Sequence, residues 1–321
     1  VHARHRDRRA QAVWELENLK NCTVALRKHS DLVCWLEQSE DGLTLASIPK
    51  NLDERLYTNI WSQGLPVILT SGTLSAGGDF SRVKRSLGLS RMRKTLIAET
   101  SQPSPFDYHR NVMLYISDTV PFPDQQNKGY LQAVADEVER LVLASHGHAA
   151  VLFTSYNAMG QVFSILRGRN LSFPMFRMGK RDTAALDNFK QSGNGILFAS
   201  GSFWEGIDIP GDALSMLIIV KLPFAVPDPI GDYEKTLYPD MLVYKNQALV
   251  PDMLVKLKQG FGRLIRTEGD SGVCAILDSR ARDGAPYHDR VVAALPFCHT
   301  SSSICDVRQF MADHKPATYF K

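Results

Sequence analysis

Apolar positions along the chain fall into short runs separated by polar or amphipathic stretches, and their spacing predicts the elements. Residues 8–28 read as a polar helix with Val13, Trp14, Leu16 and Leu19 towards a core. "DLVCWLEQSEDGLTLASIP" reads as two strands around an Asp41-Gly42 turn. "NLDERLYTNIWSQ" reads as a short helix, and "PVILTSGTL" as a buried strand that stops in a polar loop at Ser71, Gly72 and Thr73. The stretch 99–111, "ETSQPSPFDYHRN", carries two prolines and no periodicity, the composition of a linker between domains.

Beyond the linker, strands and helices alternate. "NVMLYIS", "AAVLFTSY", "PMFRM", "GILFAS", "LSMLIIVKLPF" and "GVCAILD" read as strands. Helices are expected over 127–145, from Asn157 to about Arg167, over "DTAALDNFKQS", around Gln259 and near 287–295. Continuous apolar strands alternating with helices predict an α/β fold, a doubly wound and mostly parallel sheet with helices on both faces.

One predicted helix has an unusual composition. "QGFGRLIRTEGDSGVCAILDSR" begins with one glutamine, two arginines and two glycines within eight residues. Glycine costs a helix interior about 1 kcal/mol relative to alanine, so helix stability does not explain these residues. At about 100° per residue, Arg263 lies near ~40° and Arg266 near ~−20° from Gln259. All three then share one narrow face, with Leu257, Phe261, Leu264 and Ile265 opposite it. Gly262 lies beside the polar face, where the missing side chain lets a ligand or another backbone come close. Two guanidiniums flanked by an amide suit a phosphate chain. An ordinary solvated helix face has the same spacing.

The gross numbers narrow the field only slightly. The chain has 321 residues, 44% hydrophobic and 22% charged, which is ordinary for a globular protein of one large or two smaller domains. A net charge of +3 is too small to imply a nucleic-acid partner by itself. No apolar run reaches the length of a membrane span, so no membrane partner is expected. The five cysteines are Cys22, Cys34, Cys274, Cys298 and Cys305. None forms a C-x-x-C pair, and Cys298, His299 and Cys305 match no common zinc spacing, so no metal site is expected. An odd number of cysteines suggests reduced thiols in a cytoplasmic protein.

In doubly wound sheets, ligands bind outside the carboxyl ends of the strands. "VLFTSY" delivers Thr154, Ser155 and Tyr156 there, and "ILFASGSFWEGIDIPG" delivers Ser202, Phe203, Trp204, Glu205, Gly206 and Asp208. Aromatic side chains in such a loop either stack on bases or pack beneath the loop.

Together these stretches resemble the superfamily 2 helicases of the DinG/XPD group, over roughly Ser71 to Arg280. "TSGTL" looks like motif III, "VLFTSY" like motif IV, "GSFWEGIDIPG" like motif V, and "QGFGRLIRTEGDSGVCAILDSR" like motif VI. "FWEGID" and "SPFDY" lean towards the bacterial DinG-like members. The family often has alanine where this chain has Gly72. The resemblance implies two RecA-like motor domains with ATP and Mg2+ in the cleft between them. It also implies an ATP-dependent DNA helicase that couples hydrolysis to translocation on single-stranded DNA. By the same resemblance Gln259, Arg263 and Arg266 face the nucleotide phosphates, the arginines as fingers. Glu205, Gly206, Asp208 and Gly262 lie near the nucleotide. Thr154, Ser155, Tyr156, Ser202 and Phe203 follow the single strand, and Ser71 and Thr73 couple hydrolysis to movement.

The chain has no G-x-x-x-x-G-K-[ST] loop and no D-E-x-H stretch. In the family both belong to the first motor domain, as do the iron–sulfur cysteines where present. Residues 1–98 are therefore expected to be the C-terminal tail of the upstream region, an α+β remnant with the motif III strand. Residues 105–321 are expected to be motor domain 2. The chain alone is expected to be inactive, its partners being single-stranded DNA, ATP and motor domain 1 of a longer parent. Its ATP and Mg2+ would be held mainly by that upstream domain, with no iron–sulfur cluster in this chain. A bacterial, nucleoid-associated location follows from the same resemblance. The alternative is a nucleic-acid-binding or regulatory module without motor activity. A dinucleotide enzyme lacks support, because no G-x-G-x-x-G follows the first strand of the alternating region.

Overall fold

The computed structural model describes residues 2–27, 31–39, 42–75, 78–124, 128–179, 184–204, 209, 211–296 and 298–321. The chain forms two compact units that interleave in sequence. The first comprises Val1–Thr70, Phe80–Glu99 and Ala225–Leu249, and the second Ser71–Asp79, Thr100–Phe224 and Val250–Lys321.

The first unit holds the long helix His2–Arg27 and an antiparallel hairpin of β1 (Leu32–Ser39) and β2 (Gly42–Pro49). Ser39 pairs with Gly42, so Gly42 begins β2 and does not sit with Asp41 in the turn expected. Asp41 of that turn lies outside the described residues. The helix Leu52–Asn59 follows as expected. Three further helices were not foreseen: Ser81–Ser86, Pro229–Lys235 and Met241–Tyr244. Asp228 and Asp240 cap the last two through their side chains. Arg82 is paired with Glu234, and the Trp61 indole donates to the Leu87 carbonyl at 2.6 Å.

Two expectations fail in this part of the chain. Val13, Trp14, Leu16 and Leu19 are all exposed. At 100° per residue they spread over about 220° of the helix, so they form no single stripe to bury. "PVILTSGTL" forms no strand, and Leu65, Val67, Ile68 and Leu69 are exposed, Ile68 at 91%. An apolar run becomes a buried strand only where neighbours supply both its hydrogen bonds and its cover. Among the described residues no strand pairs with it.

The second unit is built on seven strands: β3 (Val112–Ile116), β4 (Ala149–Phe153), β5 (Met175–Arg177), β6 (Ile196–Ser200), β7 (Met216–Ile219), β8 (Gly272–Ile276) and β9 (His299–Ser301). Their order is β5-β6-β4-β7-β8-β3-β9, and every neighbouring pair is parallel. Successive residues of a strand enter different cores. Leu114, Leu152, Leu197, Leu217 and Ile276 join one apolar cluster, while Tyr115, Val151, Phe198, Ile218 and Ala275 join the other. The helices Ala184–Ser192, Val250–Phe261 and His288–Ala294 bury their apolar residues in the first cluster. The helices Lys128–Ala144, Tyr156–Arg167 and Ile304–His314 do so in the second. A sheet covered on both faces explains why these strands read as continuous apolar runs. Strand β9 and the helix Ile304–His314 escape that reading, because "HTS" is short and polar.

Buried polar groups tie β7 and β8 together at both ends. Ahead of the strands, the Lys315 ammonium donates to Asp212 Oδ1 and to the Ser271 carbonyl, each at 2.7 Å. Past the strands, Asp278 is fully buried and accepts from the Leu222 backbone N–H at 2.9 Å.

Candidate functional site

The site grows from the carboxyl ends of β4 and β6. Strand β4 runs into Thr154, which is half-buried, and Ser155, whose hydroxyl accepts from the Ala158 N–H at 3.4 Å and caps the helix Tyr156–Arg167. Tyr156 is the first helical residue and is exposed. Its hydroxyl lies over Gly201, where an added Cβ would sit 3.0 Å from it. Gly201 also has φ +66°, so both conformation and space favour glycine there.

After β6 the chain makes a tight turn, Gly201–Trp204. Ser202 and Phe203 belong to it, and nothing beyond their backbone is described. Trp204 is buried and its indole N–H donates to the Phe153 carbonyl at 3.4 Å. It packs beneath the loop rather than facing solvent. Glu205, Gly206 and Asp208 lie outside the described residues.

The helix Val250–Phe261 meets this turn at its last residues. A Cβ on Gly260 would come within 2.7 Å and 2.9 Å of the Trp204 ring. Gly262 has no such neighbour, since a Cβ there would touch only the carbonyls of Lys258 and Gln259 at 3.4 and 3.6 Å. Close packing therefore requires Gly260, not Gly262.

The helix also ends sooner than its spacing predicts. It stops at Phe261, and Arg263 N–H and Leu264 N–H turn back to the carbonyls three residues earlier, Gly260 and Phe261. Arg263 and Arg266 thus lie beyond the helix, and no helical face holds them beside Gln259. Two glycines within three residues weaken the helix enough for the tighter turn to take over. Leu257, Phe261, Leu264 and Ile265 are all buried as expected.

Tertiary contacts place the three polar residues instead. Gln259 donates its amide to Thr73 Oγ1 at 3.3 Å, and Thr73 in turn lies 3.2 Å from the Ser71 hydroxyl. The Arg263 guanidinium donates to the Trp204 carbonyl at 3.3 Å. Arg266 is half-buried in a loop that Asp270 closes by accepting from the N–H groups of Arg266 and Thr267 at 2.7 and 2.8 Å. Four stretches distant in sequence thus meet through Thr73, Phe153, Trp204 and residues 259–263.

Sequence reasoning missed Asp278 and Arg280. They form a two-pronged pair at 2.9 and 2.6 Å, and the guanidinium lies 5.0 Å from the Phe224 ring centre. Burial lowers the Arg280 pKa, and the Asp278 hydrogen bonds and charge more than reverse it, so the net shift is upward. The signal was legible as a carboxylate directly after an apolar strand, in "GVCAILDSR". Among the described residues no group of three or more His, Cys, Asp and Glu side chains gathers to hold a metal. Burial pushes the Cys298 thiol up to about 11, whereas Cys305 is exposed.

The parallel sheet covered on both faces, with polar residues gathered at the strand carboxyl ends, has the RecA-like fold of helicase motor domains. Residues 138–297 match the helicase C-terminal domain family. The chain is similar to bacterial helicases of the DinG and YoaA type. It is 31% identical over 283 residues to the ATP-dependent DNA helicase YoaA of Escherichia coli, covering 87% of this chain and 43% of that protein. It is 30% identical over 308 residues to the ATP-dependent helicase DinG of Mycobacterium tuberculosis, covering 90% and 44%. A solved XPD helicase shares the fold with a TM-score of 0.56 at 18% identity, covering 87% of this chain and 49% of that one. The chain spans less than half the length of these relatives. Among the described residues no helix is long and apolar enough to cross a membrane.

Proposed function

We propose that the chain is the C-terminal motor half of an ATP-dependent DNA helicase of DinG type. In this reading residues 105–321 are the second motor domain and residues 1–98 the tail of the first motor region. The observation that carries it is the meeting of Thr73, Trp204, Gln259 and Arg263 in one unit. A coupling residue and a finger arginine are then each tied by a hydrogen bond, Thr73 to Gln259 of motif VI and Arg263 to the Trp204 carbonyl at the edge of motif V.

The donor set fits a nucleotide. Arg263 and Arg266 offer only N–H groups, Gln259 adds an amide N–H pair beside its carbonyl oxygen, and guanidiniums match phosphate oxygens in pairs. The neutral Trp204 carbonyl orients Arg263 without cancelling its charge. The phosphate-gripping loop and the magnesium carboxylates come from the companion motor domain. The role of this chain is to bring cationic donors to the charge that shifts in phosphoryl transfer. Glu205, Gly206, Asp208 and Gly262 complete the nucleotide side. Thr154, Ser155, Tyr156, Ser202 and Phe203 contact single-stranded DNA.

The test is steady-state phosphate release with magnesium and single-stranded DNA. The isolated chain is expected to give none, and a parent carrying both motor domains to give DNA-stimulated turnover. Turnover by the isolated chain that survives purification and depends on Arg263 overturns the proposal.

A further inference from the structure

We infer that the groove between the helix Tyr156–Arg167 and the last residue of β5 is a nucleotide-binding step on the single-stranded DNA path, with Arg177 as its phosphate ligand. This rests on the single-stranded DNA reading above and extends it to residues which that reading does not include.

The groove has a volume of about 460 Å³ and is lined by Tyr156, Asn157, Gly160, Gln161, Ser164 and Arg177. The groove is shallow and open to solvent, which suits a strand lying across it rather than an enclosed ligand. The helix residues recur at three- and four-residue spacing, so they form one face. Arg177 ends β5, an edge strand of the parallel sheet, and so sits at the carboxyl edge that also carries Thr154 and Gly201. Tyr156 joins the two regions. Its hydroxyl lies over Gly201 and its ring lines the groove.

The lining chemistry selects the ligand. No carboxylate lines the groove, so an anion meets no repulsion inside it. One guanidinium supplies a phosphate contact, and an exposed tyrosine ring supplies a stacking surface for a base. Gln161 and Asn157 are held together at 3.2 Å by an amide–amide hydrogen bond and present further donors and acceptors to a sugar or base edge. Gly160 lies beneath the guanidinium, whose Nη1 would stand in ordinary contact at 3.7 Å from a Cβ there. A charge, a ring and amides side by side match one nucleotide of a single strand. They do not encode a sequence, because every base has a face to stack.

A purely structural role for Arg177 is the competing account. Its guanidinium lies 5.5 Å from the Phe163 ring centre, and Phe163 packs edge-on against Phe198 of the sheet. That role predicts a loss of stability on substitution and no change in DNA affinity.

The two are separated by fluorescence anisotropy of the 321-residue chain with a mixed-sequence single-stranded oligonucleotide at several salt concentrations. Arg177→Ala is expected to weaken binding and to reduce the slope of log Kobs against log[salt] by about 0.7, the value of one phosphate contact on a single strand. Arg177→Lys is expected to keep the slope and recover only part of the affinity. Tyr156→Ala is expected to weaken binding about tenfold with the slope unchanged, as loss of a stacking surface requires. Thermal melts of each variant check the fold. An Arg177→Ala variant with unchanged affinity and slope overturns the inference and leaves the helicase reading standing. A wild-type chain that binds no single-stranded DNA overturns both. Displacement of the oligonucleotide by ATP alone, lost in Arg177→Ala, makes the groove a mononucleotide pocket and also overturns the inference.

Discussion

Gly260 and Trp204 are packed so tightly that the glycine has no room for a methyl group. The missing side chain stands 2.7 Å from the indole edge, closer than real Cβ contacts come. Trp204 is buried and held by the Phe153 carbonyl, so it has nowhere to retreat.

Gly260→Ala is therefore expected to destabilise the second unit by about 1–3 kcal/mol, the cost of overfilling a packed core. The change runs against helix propensity, which favours alanine by about 1 kcal/mol. Pairing it with Trp204→Leu should recover part of the loss that either substitution causes alone, because the two residues share one space. Urea unfolding midpoints of the two single variants and the double variant measure this coupling. Strict additivity overturns it.

Arg263→Ala and Arg266→Ala in a parent with both motor domains are each expected to lower turnover by about 10³–10⁵ while nucleotide still binds. The guanidiniums matter most when charge shifts in the transition state. Lysine should rescue poorly, since a point charge lacks the planar two-pronged contact. Single-turnover kinetics alongside nucleotide titration decide the matter. A variant that keeps about a tenth of normal turnover, far above that range, removes the finger role from that arginine.

Asp278→Ala is expected to cost about 3 kcal/mol, the lower end for breaking a buried pair, because Arg280 keeps 20% exposure. The lost carboxylate also strands the Leu222 N–H. Denaturant unfolding reads the loss, and a variant as stable as the parent contradicts it.

Acid should weaken the fold through His148. Burial lowers its pKa from the ordinary 6.5, although its ring nitrogen lies 3.4 Å from the Tyr319 carbonyl. The unfolded chain then binds the proton more readily than the folded one. Stability from this residue is complete above about pH 6.5 and declines as pH falls through the lowered folded value. His148→Asn should flatten that decline, and asparagine tolerates the positive φ of 47° found there. Melting temperatures between pH 7.5 and pH 5 on both proteins, a range of about two units around the ordinary histidine value, provide the comparison.

The sheet was legible in the sequence because burial on both faces makes each strand a continuous apolar run, as in "AAVLF" and "ILFAS". Strand β9 was not, since an edge of three residues needs no apolar run. The helices over 225–249 were hidden by prolines and short length, although Asp228 and Asp240 stood in plain view as caps. At the site, helical spacing put Gln259, Arg263 and Arg266 on one face, whereas Thr73 came only from the resemblance. The helix stops at Phe261, and long-range contacts to Thr73 and Trp204 set the geometry. Such contacts leave no periodic trace. The tight packing at Gly260 was illegible for the same reason, because it answers to Trp204, far away in sequence.

The polar ties at the two ends of β7 and β8 have a consequence for folding. A strand with one apolar and one polar face resists sliding, because a shift of one residue turns its greasy side to water. Strands β7 and β8 are buried on both sides, so such a slip exchanges one apolar residue for another and hydropathy barely objects. Lys315 reaching Asp212 and Ser271, and Asp278 reaching Leu222, act as alignment marks that only one offset satisfies. Removing both sets should yield a protein that still collapses but settles into more than one strand alignment, visible as doubled amide resonances from Met216–Ile219.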